Sequence, residues 1–589
     1  MCNQDMFFRH RWLRPLGIAF PFVTTHNNFV FDRGGKVFNR TAPVIKLPAG
    51  TSVIEHLGIL GLLNSSTACF WCRQVMMDKG NGGIGGGISN EIWERRMELN
   101  ATAVERFPLL TDVPLDHASA IDAEAQRFSA CLPDAICARA IPTRSVFDIA
   151  RGTAEEARGT MVARQEELDW RCYRLYGLYA DAPEHPTPPP LKLGERAFEI
   201  SMARRMDEGT LETSWFSRHG STPITNLPAH WSEDYRTVVE HRIALIEADP
   251  TIGLIERPEY KRRWSIEPWE TMERDAVRKW LLDRLEDPRY WPGIEPRLTS
   301  TRALADATRH DPDFLSVAAL YTGHETFDLD ALMTELVTKE AVPFLPVLRY
   351  SETGLRKRAD WEATWVKQRE EDAIDADLAT HRATFLRNAW TRANPRQPDE
   401  TEDAYAASMT TSLNDPIIVK AADAAIAAEA ARRKRETVGT IPVPPKYRTP
   451  DFLSTDVWRL RGGLDVPKER FVSFAHCARD ADGSLPVLWA GYDHLARAKA
   501  IAAWFVERKD VDGWPAPRLT PLLAGLLELV PWLRQWHNGL DPDTGVHMGD
   551  YFAEFVEDEA RALGVTLAEL RAWTPPAPVR RTRQRRATA

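Results

Sequence analysis

The sequence predicts an α+β protein in which a strand-containing N-terminal region is followed by mainly helical domains. Three observations carry that prediction. Aromatic and β-branched residues alternate with tight-turn residues between 28 and 47. From about residue 57 onward the apolar residues recur at helical spacing instead. Proline clusters at 183–190 and 442–445 then punctuate the helical pattern. A chain of 589 residues has room for about three to five domains, each with its own core.

Asn28-Phe29-Val30-Phe31-Asp32 reads as a strand, with Arg33-Gly34-Gly35-Lys36 as its turn. Val37-Phe38 and Val44-Ile45-Lys46-Leu47 continue as short strands, which Pro43 and Pro48 confine to edges or ends. The run Leu57 to Val75 is apolar on nearly every face and predicts one largely buried helix. After a glycine-rich stretch at 80–87, Ser89 is placed to cap a helix containing Ile92, Trp93 and Met97. From Asp116 to Tyr179 the pattern is helical, with Leu168, Cys172, Leu175 and Tyr179 on one apolar stripe and the charges elsewhere. Pro183, Pro186 and Pro188-Pro189-Pro190 predict an extended linker. Helices are expected at 275–286, 361–390 and 421–436, then a compact C-terminal unit with apolar faces at 488–505 and 522–536. The tail after Pro578 carries five arginines and no acid, the pattern of a disordered segment.

Composition narrows the function classes. With 43% hydrophobic residues and Trp (20) nearly matching Phe (23), the chain is not a disordered polar one. No apolar run reaches about 18 residues, so no spanning helix and no membrane partner are expected. Arg9, Arg11 and Arg14 precede a short apolar stretch without a small-residue cleavage site, which gives no signal peptide. Seven cysteines, sparse and odd in number, point to a reducing cytoplasm. The net charge of −9 neither requires nor excludes nucleic acid, because binding depends on local basic faces.

Several strings invite chemistry and are better explained without it. The 80–87 loop lacks a following Lys-Ser or Lys-Thr and a preceding strand, so it reads as a connector rather than a phosphate cradle. Cys69-Phe70-Trp71-Cys72 lies in an apolar helix, where thiols act as small hydrophobes. Asp541-Pro542-Asp543-Thr544-Gly545 resembles the opening of a calcium loop, but its glycine comes one position early and no Glu closes it. A capped surface turn is the simpler reading, against a metal-dependent enzyme built on His537, His547 and Asp550. The clusters Lys261-Arg262-Arg263, Arg356-Lys357-Arg358 and Arg432-Arg433-Lys434-Arg435 have acids close by and read as solvated helix faces. The denser basic stretch lies early. Asn27, Asn28, Arg33, Lys36, Asn39, Arg40 and Lys46 occur with little acid among them. Asn and Arg pair with base edges while Lys serves phosphates, so a hairpin carrying them can enter a major groove.

At this point the residues resemble a family. Phe38-Asn39-Arg40-Thr41-Ala42-Pro43-Val44-Ile45-Lys46-Leu47-Pro48 and Leu60-Gly61-Leu62-Leu63-Asn64-Ser65-Ser66 look like the target-recognition domain of a fused DNA methyltransferase. Gln165-Glu166-Glu167-Leu168-Asp169-Trp170, with Tyr173 to Leu178, resembles the helix that closes such a module. Ile255 to Trp264, Trp458 to Gly462, Asp465 to Phe471 and Leu519 to Leu527 resemble the PglX-like adenine-specific DNA methyltransferases of type 2 BREX phage-defence systems. The similarity runs from about Pro21 to Pro575.

The resemblance implies a target-recognition domain at 21–112 and a helical closing segment at 113–180. A proline-rich linker at 181–195, helical domains at 196–440 and 441–575, and a basic tail at 576–589 follow. Residues 1–20 fit it poorly and suggest a start inside a longer reading frame, a split gene or a truncated relic. Such enzymes carry an adenine-N6 methyltransferase domain with a cofactor loop and an Asn-Pro-Pro-Tyr motif. Neither occurs here; Val443-Pro444-Pro445-Lys446-Tyr447 lacks the leading Asn and is interrupted by Lys446. A flipped adenine needs its amino group held by that Asn and a proline carbonyl. The expectation is therefore no catalytic residue, no metal site and no cofactor in this chain, with S-adenosylmethionine belonging to the intact family enzyme. Its partners would be double-stranded DNA and a separate catalytic domain or other BREX components. The alternative from a different class is a protein-interaction scaffold that docks other defence components.

Overall fold

The computed structural model describes residues 16–34, 36, 38–48, 50–80, 91–291, 295–343, 351–451, 470–473, 482–542 and 544–573. Most of the glycine-rich stretch, the Ser89 cap, the strings at 458–462 and 465–469 and the arginine-rich tail lie outside them. The fold is α+β, with small sheets and many helices. The chain divides into two compact units, one formed by residues up to 285 with 306–329, the other by 286–305 with the residues from 330 onward.

The first unit opens with two three-stranded antiparallel sheets. In one, β1 (Gly17–Ala19) lies between β3 (Val30–Asp32) and β4 (Val44–Ile45), with Ile18 opposite both Phe31 and Ile45. In the other, β6 (Arg96–Glu98) lies between β2 (Val23–Thr24) and β5 (Met77–Gly80). Two expectations change here. β3 pairs with β1 rather than with Phe38, because Ile18, Phe20 and Phe29 bury their side chains in one core. Residues 91–98 give a short 3₁₀ turn and a strand rather than a helix, since Met97 is buried and pairs with Thr24 and Asp78. Gly17 permits the close approach of β4: a Cβ there would meet Lys46 Nζ at 2.8 Å and Val44 Cγ1 at 2.9 Å.

The expected helix over 57–75 is two helices, α1 (Val53–Leu63) and α2 (Ser66–Val75), bent by 64°. Ser52 and Glu55 form a capping box at the start of α1. At the break, Ser65 Oγ donates to Leu62 O and accepts from Ala68 N, backbone groups that a continuous helix would use, while the Asn64 side chain turns to Phe29. Asn64 Nδ2 donates to Phe29 O (2.9 Å) and its Oδ1 accepts from Phe29 N (3.0 Å), like an additional rung of the sheet. Ser65 Oγ accepts from Ala68 N and caps α2.

Helix α3 (Leu115–Cys131) packs along α4 (Arg144–Leu175), a 32-residue helix through the centre of the unit. Around α4 lie α5 (Ala197–Asp207), α6 (Glu233–Ala248) and α7 (Trp269–Leu285). The proline-rich 181–195 segment lies within this unit and is held down. Arg242 donates to Pro183 O, Arg164 to Pro186 O, and Leu191 N to Gly159 O.

In the second unit, a four-stranded sheet has the order β7 (Thr299–Ser300), β10 (Pro486–Trp489), β9 (Phe471–Ser473), β8 (Ala341–Pro343). Its β8–β9 pair is parallel and the others antiparallel. Phe471, Val487 and Leu488 are buried in it. Long helices α8 (Glu352–Thr380), α9 (Arg382–Ala393) and α10 (Pro416–Thr437) form one helical layer, and α11 (His494–Asp510), α12 (Ala516–Trp536) and α13 (Met548–Leu563) another. No single helix among the described residues is long and apolar enough to cross a membrane.

Candidate nucleic-acid interface

The seven residues singled out in the early basic stretch occupy three environments. Asn27 is fully buried; its Nδ2 donates to Leu63 O (2.8 Å) and Ser65 O (2.9 Å), tying the loop before β3 to the end of α1. Asn28 is half-buried, and its backbone N–H closes a turn on His26 O. Lys46 directly follows β4 and donates to Leu16 O at 3.0 Å.

The loop from Arg33 to Thr41 carries the exposed members. Arg33 pairs with Asp122 of α3 at 2.5 Å and lies 4.6 Å from the Phe31 ring centre. Lys36 is exposed and has no ion-pair partner among the described residues. Asn39 Oδ1 accepts from Thr41 N (2.9 Å) and Thr41 Oγ1, an Asx turn that presents Arg40 beside it. Arg40 reaches 5.9 Å from the Phe22 ring and has no carboxylate partner among the described residues. Lys36, Asn39 and Arg40 therefore keep their side-chain donors for an outside acceptor, whereas Asn27 spends its donor on the fold.

Behind this loop lies a feature that the sequence reading missed. Lys261 is fully buried, not solvated, and sits after a 3₁₀ turn at Pro258–Tyr260 rather than on a helix. Its ammonium meets Glu256 (2.9 Å), Asp169 (3.0 Å) and Glu166 (3.5 Å). Arg242 pairs with Glu167 (2.6 Å), and Arg196 with Glu199 (2.9 Å), which also accepts from the Trp215 indole. Asp169 additionally accepts from Ser66 N and Oγ, so its charge sits on the positive N-terminus of α2. Burial pulls the Lys261 ammonium down, but the carboxylates of Asp169, Glu166 and Glu256 together outweigh it and hold it above the ordinary lysine value. Glu166 is pushed up to about 7, chiefly by burial, and its Oε2 has no hydrogen-bond partner.

The other candidates resolve as structure. Cys69 and Cys72 are buried free thiols, and burial pushes Cys69 up to about 11, away from reactivity. Burial and the neighbouring arginines hold His26, 3.3 Å from the Cys69 sulfur, well below the ordinary histidine value. At 541–545, Thr544 N donates to Asp541 and Gly545 takes a left-handed φ of 71°, closing a turn. His547 bonds Asn538 O, while Asp550 pairs with Arg534. No group of three or more His, Cys, Asp or Glu placed to hold a metal ion occurs among the described residues. At 432–435 the pairing is that of a solvated face, Arg433 with Asp377 and Lys434 with Asp375, whereas Lys357 pairs with the buried Asp451.

Comparison with known proteins gives the family. A model described as a domain of unknown function, DUF7008, matches residues 161–586. The chain belongs to that family. It is also 41% identical over 587 residues to an adenine-specific methyltransferase PglX of Streptomyces coelicolor. That alignment covers 98% of this chain and 43% of the relative, so the chain spans less than half the length of the curated protein it matches. The PglX-like character read from the sequence therefore stands. No solved structure matches.

Proposed function

We propose that this chain is the DNA-recognition and accessory portion of a site-specific adenine-N6 DNA methyltransferase acting in bacterial phage defence. The observation that carries this reading is the alignment along 98% of the chain with a protein named as an adenine-specific methyltransferase. The exposed loop supports it: Lys36 and Arg40 are available for phosphate or base acceptors, and the Asn39 amide donor points to no partner among the described residues. The sequence has no Asn-Pro-Pro-Tyr string, so methyl transfer and S-adenosylmethionine binding are assigned to a catalytic domain supplied elsewhere. Lys36 and Arg40 then place the duplex, Asn39 reads it, and the buried Lys261 network keeps the loop's platform rigid.

The test is fluorescence anisotropy of the purified chain with labelled duplexes across a salt series. The proposal requires saturable binding whose logarithm falls linearly with the logarithm of salt concentration. Calorimetry with S-adenosylmethionine should give no saturable heat. Absence of duplex binding at low salt, or micromolar cofactor binding, would overturn the assignment.

A further inference from the structure

A cavity of about 470 Å³ opens beside the basic loop, between β3, α1, α3 and the middle of α4. Val30, Lys36 and Gln126 stand exposed at its rim, while Phe29, Gln165 and Leu168 form a buried floor. Its size is that of a small-molecule site, and its walls are largely apolar.

Two polar groups at the floor have unmet chemistry. Gln165 is 2% exposed; its amide nitrogen donates to Asn64 O (3.2 Å) and Asp169 Oδ1 (3.1 Å). Those two acceptors fix which way the amide faces, so its oxygen cannot be exchanged for the nitrogen. That oxygen has no hydrogen-bond partner. Arg262 also lines the cavity. Its guanidinium lies 4.9 Å from the Trp264 ring centre but has no carboxylate partner among the described residues. Burial draws it down to about 10, which still leaves it cationic at neutral pH. Its neighbours differ: Lys261 meets three carboxylates and Arg263 bonds Trp93 O.

We propose that this cavity binds a single nucleotide, with an amino-bearing base against the apolar floor and a phosphate met by Arg262 and Lys36. The base amino group supplies the donor that the Gln165 oxygen lacks. The phosphate supplies the anion that Arg262 lacks. The nucleotide has two possible sources, a free mononucleotide or a nucleotide turned out of a bound strand. The second source rests on the duplex-binding reading above, and the first does not.

The experiment titrates the full chain with AMP, adenosine and inorganic phosphate by calorimetry, and separately with a duplex carrying 2-aminopurine. AMP should bind saturably, about tenfold or more tightly than adenosine or phosphate alone. Arg262→Gln should weaken AMP about tenfold, and Ala125→Phe, which fills the cavity from α3, should abolish it. Lys36→Ala, at an exposed position without fold consequences, should weaken AMP severalfold and keeps the test valid if either other variant melts early. A rise in 2-aminopurine fluorescence that Ala125→Phe removes without loss of duplex affinity identifies the strand as the source. AMP binding without that rise identifies a free nucleotide. Absence of both responses in a wild-type chain that binds duplex overturns the cavity proposal and leaves DNA recognition standing. AMP binding by a chain that binds no duplex overturns DNA recognition and leaves the cavity proposal standing.

Discussion

Two basic stretches of the first unit carry comparable charge and spend it in opposite ways. In Lys261-Arg262-Arg263, Lys261 lies in the interior, where its single ammonium meets three carboxylates that α4 and the residues before it supply. The loop from Arg33 to Lys46 lies at the surface, where Lys36 and Arg40 face solvent without carboxylate partners among the described residues. A buried charge is tolerated only when partnered, so Lys261 is tied to the fold. An exposed charge costs little to leave unpaired and remains available for a ligand. Basic composition alone does not separate the two; burial does.

The largest expected effect comes from breaking the interior set. Lys261→Met leaves Glu166, Asp169 and Glu256 facing one another without a cation. Removing one partner of a buried ionic group typically costs about 3–5 kcal/mol. The urea-unfolding transition of the first unit should shift accordingly. A variant as stable as wild type would mean the three carboxylates are not held charged together, and the contrast between the regions would fail.

A second test acts on the same set through pH. The folded-state value for Glu166 is about 7, above its ordinary 4.5. The folded protein therefore binds the proton more tightly than the unfolded chain, and stability falls as pH rises through that window. A shift of that size corresponds to about 3 kcal/mol at most. Glu166→Gln should remove the decline and leave the variant relatively more stable at pH 8 than at pH 5. Thermal melts across that range would show it, and an unchanged slope would move the buried proton elsewhere in the network.

How far these differences were legible in the sequence depends on which residues are considered. The α+β order, the C-terminal helices, the buried Cys69 and Cys72 and the 541–545 turn followed from local patterns that tertiary packing did not override. The Lys261 network did not, because Leu168, Cys172 and Leu175 suggested one apolar stripe with the charges outside. Helix α4 is enclosed on several sides, so its charged residues are buried too and draw partners up to 103 residues away. The signal was present as an acidic run, Glu166-Glu167-Leu168-Asp169, and a later basic one, but spacing does not say which runs meet. Likewise, the prolines at 183–190 predict an extended linker, and that segment forms neither helix nor strand. Lack of regular structure there does not mean detachment, since Arg242 and Arg164 hold that segment by its carbonyls. β1 was missed because three residues before Pro21 carry little pattern, and its central place comes from pairing on both edges.

The surface stretch yields smaller effects. Lys36→Ala and Arg40→Ala should each leave the melting temperature unchanged and weaken binding to every duplex. If each contacts one phosphate, the slope of log affinity against log salt should flatten by about 1 per substitution. Unchanged slopes would place the DNA on another face.

The smallest effect concerns Asn39, where stability and recognition can be separated within one side chain. Its Oδ1 holds the turn through Thr41 N and Oγ1, while its amide N–H groups have no partner among the described residues. Asn39→Ala removes both functions, so a lower melting temperature in that variant says nothing about DNA. Asn39→Asp keeps an acceptor for Thr41 and removes only the donors. The added negative charge should weaken binding to all sequences alike, because it acts on phosphates. Discrimination is a ratio and cancels that uniform term. If Asn39 donates to a base edge, the Asp variant should melt like wild type while losing about 1 kcal/mol of preference for the best sequence over a single-base mismatch. Competition binding with matched and mismatched duplexes measures the ratio directly. A preserved ratio would mean that Asn39 shapes the turn that presents Arg40 and that base reading lies with Arg40 itself.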